Sequence, residues 1–209
     1  MGCKPEDDLN TDVWNSVSGT YNGHSYVDLG LPSGTLWATC NMGAGKPEKY
    51  GDYFAWGETR PKEVYDVDTY VFSLESWSAR AKYNEIDGLT VLEPSDDAAT
   101  VNWGSGWFTP TIDQWKELMN HTYNVSTVWN GVSGRLFTAM NGNGLFLPAA
   151  GNRVDDYQFG VVTEGNYWSS SLDTESSRYA FSFYFDNSPY DGCRSRIEGF
   201  TVRPVCVLR

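Results

Sequence analysis

Apolar and polar residues alternate along most of the chain, in short segments separated by glycine and proline. Val27, Leu29 and Trp37 follow this alternation in residues 21–44, which predict two strands joined by a Pro-Ser-Gly turn. Similar short apolar segments are "GDYFAWGE", "GRLFTAM", "LFLPAAG", "NYWSSS", "YAFSFYF" and "GFTVRPVCV". They predict a mostly antiparallel sheet made of short strands, with a turn at residues 141–144.

Two segments have the spacing of short helices instead. Thr111 and Gln114 stand at capping-box spacing at the start of one of them. The other follows Ser95, which we expect to be its N-cap. Residues 58–94 develop no periodic apolar face and predict a long surface insertion. The helix that begins after Thr111 carries a single apolar stripe, formed by Ile112, Trp115, Leu118 and Met119. Few helices and many short strands together predict the α+β class.

The composition limits the classes of partner. The 209 residues are 40% hydrophobic and 15% aromatic, which is enough to bury a sizeable core. The net charge of −12 argues against a nucleic-acid backbone or an anionic membrane surface, because both require clustered Lys and Arg. No apolar run in the sequence is long enough to span a bilayer.

Residue patterns typical of catalysis are absent from the sequence. His24 and His121 are its two histidines, and neither lies near a serine elbow or a cysteine in sequence. No glycine-rich phosphate loop is present. The acidic pairs 96–97 and 155–156 would suit an acid–base pair or a calcium site, but a helix N-terminus and a solvated loop explain them better. We therefore expect no enzyme activity, no metal and no cofactor.

The four cysteines show no metal-ligand spacing. We expect Cys40 and Cys206 to be buried thiols in strands and Cys193 to be an unpaired, exposed thiol, although disulfides are the alternative. Cys3 precedes a polar, acidic stretch and resembles the mature end of a bacterial lipoprotein. Residues 1–17 would then be a flexible tether after a lipidated Cys3. A cytosolic start with an incidental cysteine remains the alternative.

Several motifs occur in fixed order over residues 26–205: "YVDLGLPSGTLWATCNMGA", "GDYFAWGE", "DDAATVNWGSGWFTPTIDQWKEL", "LFLPAAGNR", "NYWSSS" and "GFTVRPV". In these motifs the chain resembles the Fibrobacter succinogenes major paralogous domain family of Bacteroides-type surface lipoproteins. It is also similar to the C-type-lectin-fold variable proteins that diversity-generating retroelements mutate. The resemblance implies a C-type lectin-like or formylglycine-generating-enzyme-like fold over residues 18–209.

Two activities of related folds are not implied for this chain. Formylglycine-generating enzymes rely on a cysteine pair that is close in sequence, and this chain has no such pair. The Glu-Pro-Asn and Trp-Asn-Asp motifs of calcium-dependent lectins are also missing, since "VWNGV" at 128–132 lacks the aspartate.

Near the C-terminus, "YAFSFYFDNSPYDGCRSRI" places a heterogeneous stretch after a regular strand. The period of two puts Phe181, Phe183 and Phe185 on a core face. Ala180, Ser182 and Tyr184, with a loop at 187–198, are then expected to be free for a partner, although an ordinary solvated loop is the alternative. The resemblance implies a variable region at about 154–198, and its ligand-binding positions are Asp155, Tyr157, Ser182, Tyr184, Tyr190, Asp191, Cys193, Arg194, Ser195 and Ile197.

These observations lead to one expected function. The chain would be a non-catalytic ligand-binding lipoprotein on the outer-membrane cell surface, and a retroelement would diversify its C-terminal region. Its partner would be a protein or a glycan, with no nucleic acid and with membrane contact only through the lipid on Cys3. The alternative is a structural or adhesive surface lipoprotein of the same fold without diversification.

Overall fold

The computed structural model describes residues 16–73 and 81–208. The helices are α1 (Ala98–Trp103) and α2 (Ile112–His121). The strands are β1 (Gly19–Tyr21), β2 (His24–Asp28), β3 (Leu36–Ala38), β4 (Tyr53–Phe54), β5 (Trp107–Phe108), β6 (Thr122–Trp129), β7 (Val132–Ala139), β8 (Gly144–Pro148), β9 (Asn152–Val154), β10 (Tyr157–Phe159), β11 (Gly165–Leu172), β12 (Tyr179–Phe185), β13 (Pro189–Ser195), β14 (Phe200–Thr201) and β15 (Val205–Cys206). Within the described ranges, neither helix has the length and apolar character needed to cross a membrane.

The strands form three sheets and a separate hairpin of β9 and β10. One five-stranded sheet has the order β1-β2-β3-β15-β5, and a second, the central sheet, has the order β13-β12-β11-β14-β4. The third sheet is β6-β7-β8. Within the sheets β11 and β14 pair in parallel, and the other strand pairs are antiparallel. The predicted α+β class with mostly antiparallel sheet is confirmed.

Helix α2 fixes one side of the core. Thr111 and Gln114 form the predicted capping box, with both reciprocal hydrogen bonds present. Trp115 is fully buried, its ring stacks on Phe183 with centroids 4.5 Å apart, and its indole N–H donates to the Trp168 carbonyl at 3.2 Å. The predicted packing of α2 against the central sheet is therefore confirmed.

The central sheet buries both of its faces. Phe183 and Phe185 pack with α2 on one face, as predicted. Ala180 and Trp168 pack on the other face, where Trp168 stacks on Phe200 with centroids 4.3 Å apart. Sequence alternation predicted only the phenylalanine face as core, because it cannot show that another layer covers the second face.

Two local predictions differ from the structure. The N-cap of α1 is Asp97 rather than Ser95, because the buried Asp97 carboxylate accepts from the amides of Ala99 and Thr109 at 2.9 and 2.8 Å. The described residues of the 58–94 insertion are also more than a surface loop. This part of the chain contributes the fully or nearly fully buried rings of Tyr65, Tyr70 and Tyr83.

Truncation of Trp115 tests the packing of α2. We expect Trp115→Ala to lower the free energy of unfolding by about 3–5 kcal/mol, because it leaves a large cavity between the helix and the sheet. Chemical denaturation of both proteins measures this difference. Tyr157→Ala, which truncates a ring that is 64% exposed, is the control and should change stability by less than about 0.5 kcal/mol. Equal losses in the two variants would contradict the packing described here.

Candidate functional site

The expected loop at 187–198 is largely a strand. β13 pairs with β12 along its whole length, from Phe185 opposite Pro189 to Tyr179 opposite Ser195. A short turn connects the two strands, in which the Asp186 carboxylate accepts from the Ser188 amide at 3.3 Å. The prediction of a loop was wrong because mixed side chains hide the period of two in this segment. Strand geometry instead sends successive side chains to opposite faces of the sheet.

This alternation divides the predicted binding residues into two groups. Directly opposed residues share a face, so Tyr190 and Arg194 lie on the same face as Ser182 and Tyr184. Their neighbours in sequence project to the face that carries Phe183, and they are Asp191, Cys193 and Ser195. The structure therefore does not bring all the predicted positions of β13 onto a single surface.

Ser182 and Tyr184 are buried, at 1% and 8% exposed, so the expectation that they are free for a partner is wrong. The Ser182 hydroxyl donates to the Gly192 carbonyl of β13 at 3.2 Å. The Tyr184 ring lies 4.7 Å from the Tyr190 ring, and the Arg194 guanidinium lies 5.7 Å from the Tyr184 ring centroid. These contacts with β13 place Tyr184 as a support beneath Tyr190 and Arg194.

The hydroxyl of Tyr184 lies near the turn that precedes β11. Burial raises the pKa of Tyr184 to about 12, and the nearby carboxylates of Glu164 and Asp186 act in the same direction. Glu164 lies within hydrogen-bonding reach of the phenol. Its backbone amide donates to the Gly160 carbonyl at 2.7 Å, which closes the turn 160–164. The Tyr184 phenol is therefore protonated at neutral pH and lies near this turn.

The β9–β10 hairpin carries exposed aromatic rings on its outer face. Tyr157 is 64% exposed and Phe159 is also exposed, with their ring centroids 6.3 Å apart. The opposite face is fixed to the core, since the Gln158 amide donates to the Tyr53 hydroxyl and the Arg153 guanidinium lies 5.6 Å from the Tyr65 ring centroid. The two faces follow from the alternation along β10.

Asp155 lies in the tight turn of this hairpin. It is exposed and adopts a left-handed backbone conformation, with φ of 53°. Its backbone exchanges two hydrogen bonds with Tyr65, at 2.8 and 3.0 Å. The main chain at this predicted site residue is therefore held while its carboxylate is free to contact a partner.

Glu198 connects the two hairpins. Its carboxylate accepts from the Asn152 amide of β9 at 3.3 Å. Burial raises the pKa of Glu198, and the positive charge of Arg194 and the Asn152 hydrogen bond act in the opposite direction. The backbones of Arg153 and Gly199 exchange hydrogen bonds of 2.8 and 2.9 Å beside it. The segment that follows β13 is thus bonded to the β9–β10 hairpin. We call the outward side chains of the two hairpins the aromatic surface, which consists of the exposed Tyr157, Phe159 and Tyr190 and the half-buried Arg194.

The segment after β13 returns to the interior. Ile197 is half-buried and packs against the buried tyrosine cluster that includes Tyr53 and Tyr65. Arg196 is completely buried and lies 4.7 Å above the Trp56 ring. The sequence did not predict that Arg196 is buried, because Arg194 and Arg196 are the same residue type in the same stretch and only their environments differ. Ile197, which was predicted to bind a ligand, thus packs toward the interior and supports the surface from below.

The opposite face of β13 contacts α2. The Asp191 carboxylate lies 3.6 Å from the Lys116 ammonium group. Cys193 is half-buried, so the expected exposed thiol is not present. Burial raises the pKa of Cys193 to about 11, and a hydrogen bond to Asp173 acts in the same direction. Ser195 is half-buried on this face. These three residues are half-buried, whereas Tyr157, Phe159 and Tyr190 are exposed.

The described residues contain no cluster of three or more His, Cys, Asp or Glu that could hold a metal ion. Cys40, Cys193 and Cys206 are free thiols; Cys206 is buried as predicted, whereas Cys40 is only half-buried. His24 stacks on Trp103 with ring centroids 3.7 Å apart. Cys3, the predicted lipid anchor, lies outside the described residues.

Alkylation of Cys193 tests the environment of its thiol. A pKa near 11 leaves roughly 100-fold less thiolate at pH 8 than the usual value near 9, so iodoacetamide should modify Cys193 slowly in the folded protein. Asp173→Asn should speed the reaction several-fold, because it removes a negative charge from beside the thiol. Peptide-level mass spectrometry isolates this cysteine from the others.

The exposed Asp156 supplies a matched control, and Asp156→Asn should leave the Cys193 rate unchanged. Fast modification in the parent protein, at the rate of the guanidinium-unfolded chain, would show that the thiol is exposed after all.

None of the family models, curated proteins or solved structures compared with this chain matches it.

Proposed function

We propose that this protein is a non-catalytic ligand-binding protein and that the aromatic surface is its binding site. The observation that carries the proposal is the exposure of Tyr157, Phe159 and Tyr190 on two hairpins that the segment after β13 connects, with Arg194 on the same face as Tyr190. Tyr and Arg are enriched among the residues that dominate binding energy, because they combine a large contact area with directional donors. Exposed aromatic residues that are grouped in this way favour recognition over a purely structural role.

The support beneath the surface favours the same conclusion. Tyr184, Gln158 and Glu198 hold the two hairpins from the inside through contacts with Tyr190, Tyr53 and Asn152. A surface whose backbone is held before binding loses less conformational entropy when a ligand arrives. The exposed side chains can also be replaced with little effect on the layer below them.

The fold family, the diversified region, the class of ligand and the cellular location are also part of the proposal. We propose a C-type lectin-like fold whose region 154–198 is diversified by a retroelement, with Tyr157, Tyr190, Arg194 and Asp155 as the contacting positions. The ligand is then a protein or a glycan, and the chain is displayed on the cell surface through a lipid on Cys3. The motif resemblance supports these assignments, and the exposure of Asp155, Tyr157 and Tyr190 is compatible with them, while Arg194 is half-buried.

Two observations on the native gene and protein test these assignments. A near-identical copy of the 3′ end, which differs mainly at adenines and lies beside a reverse-transcriptase gene, is expected if the region is diversified. Mass spectrometry of the native N-terminus should find acyl chains on Cys3 after removal of a signal peptide. An unprocessed Met1 in the cytosolic fraction would contradict the surface location.

A displayed library tests the binding site directly. Joint randomisation of Tyr157, Phe159, Tyr190 and Arg194 should leave surface display on yeast close to the parent level and should yield binders to a test protein such as lysozyme. In a selected binder that retains Tyr190, Tyr190→Ala should weaken binding by about 2 kcal/mol or more. Its thermal unfolding should match that of the unmutated binder, because the side chain is 45% exposed.

Met140, which is 99% exposed in the turn between β7 and β8, provides the control. Met140→Ala should leave the affinity of the same binder unchanged. If the library fails to display, or if no binder depends on the randomised residues, the aromatic surface has a structural role instead.

A further inference from the structure

The edge strands of the described sheets are protected from pairing, with one exception. β1, β4, β5, β9 and β10 are only two or three residues long. β13 carries Pro189 and two charged residues, Asp191 and Arg194. Short length, proline and charge are the features by which proteins prevent edge-to-edge association. β6 has none of these features, since its eight residues include no proline and no charged residue.

Backbone groups at the open edge of β8 already have hydrogen-bond partners among the described residues, unlike those of β6, the other edge strand of the same sheet. The Gly144 amide donates to the Ser16 hydroxyl at 3.0 Å, and the Phe146 carbonyl accepts from Arg203 at 3.0 Å. Pro148 has no amide hydrogen to offer. Within the described part of the chain, β6 is thus the long edge strand without a protecting feature.

The hydrogen-bond pattern shows which groups of β6 are open. β6 pairs with β7 in one continuous register without a bulge. The Ser133 carbonyl of β7 accepts from the Ala149 amide and the Ala139 amide donates to the Asn143 carbonyl, both on the side of β8. In a directly opposed antiparallel pair, the backbone groups of the two residues point either toward each other or away from each other. The β6 residues opposite this set of β7 therefore direct their backbone groups away from β7. The amide and carbonyl groups at the open edge therefore belong to Asn124, Ser126 and Val128.

The charge distribution indicates which partner suits this edge. The chain has a net charge of −12, whereas residues 122–148 contain a single charged residue, Arg135. Arg135 is buried and donates to the Asn124 side chain at 2.7 Å and to the Asn187 carbonyl at 3.2 Å. Two copies of this acidic chain can therefore approach through this sheet without opposing exposed charges. The edge also offers no charged group to attract a charged peptide.

We propose that β6 pairs with β6 of a second copy of this chain to form a twofold-symmetric dimer. Antiparallel pairing of identical strands is self-complementary and closes at two copies. The three-stranded sheets of the two copies would then form one six-stranded sheet. Exposed side chains of β6, including Tyr123, Val125 and Val128, become cross-strand neighbours in this arrangement. The dimer is independent of the proposed ligand site, although it would present two aromatic surfaces to a ligand.

Sedimentation velocity of the full chain over a range of concentrations tests the dimer. The parent protein should shift from monomer to dimer as its concentration rises. Val125→Lys should sediment as a monomer over the same range, because identical strands then place two lysines close together at the new edge contact. Val101→Lys is the matched control, since Val101 is an exposed valine on α1, and this variant should dimerise like the parent.

Val128→Pro is a second monomeric variant that keeps the pairing with β7. Proline at this position removes an amide that points to the open edge, so it should prevent pairing between copies and leave the hairpin intact. Thermal unfolding of each variant checks that it remains folded. A parent protein that stays monomeric, or a dimer that persists in both Val125→Lys and Val128→Pro, would overturn the proposal.

Residue-resolved amide exchange supplies an internal control. The amides of Asn124, Ser126 and Val128 should become about 10-fold or more slower to exchange when the protein is concentrated, because they gain partners only in the dimer. The amides of Tyr123, Val125 and Thr127 bond to β7 and should be protected at every concentration. Dimerisation without this alternating change would place the interface elsewhere and would also overturn the proposal.

Discussion

Two buried guanidinium groups are the constraint on which much of the structure depends. Arg196 and Arg203 are both fully buried, and burial lowers the pKa of each. A buried charge is costly unless hydrogen bonds replace its lost hydration. The two side chains meet this requirement with neutral oxygen atoms: Arg196 donates to the Tyr70 hydroxyl and to the carbonyls of Lys82, Tyr83 and Ser177, and Arg203 donates to the Asn41 side chain and to the carbonyls of Ala38, Thr39 and Phe146.

The positions of these donors explain how the aromatic surface is supported. Arg203 follows β14 and bonds to the chain after β3 and to β8, so it joins separate sheets at one point. Arg196 directly follows β13 and donates to Tyr70 and Tyr83 of the insertion and to the carbonyl of Ser177, which lies between β11 and β12. The end of β13 is thereby fixed close to Arg194. Variation at the exposed positions is compatible with a stable fold because these buried hydrogen bonds do not involve them.

Local patterns in the sequence predict local structure well. The capping box of Thr111 and Gln114 and the stripe that includes Trp115 depend on spacing within one helix, and both are present. The burial of Ser182 could not be predicted in this way, because it depends on how β13 and the neighbouring layers cover β12. The same applies to Arg196, whose partners come from a segment without periodicity. Of the predicted site, the sequence indicates the right region, but only tertiary packing determines which side chains face outward.

The central claim is that one short segment holds an exposed Tyr190, which is free to vary, and a fully buried Arg196, which is not. A display library with every single substitution at residues 189–198 measures this most directly, with the amount of folded protein on the cell as the readout. The account predicts that Tyr190 and Arg194 accept most residues and that Arg196 accepts none without a large loss of folded protein. Equal tolerance at Arg196 and Tyr190, or a Tyr190 as intolerant as Arg196, would contradict it.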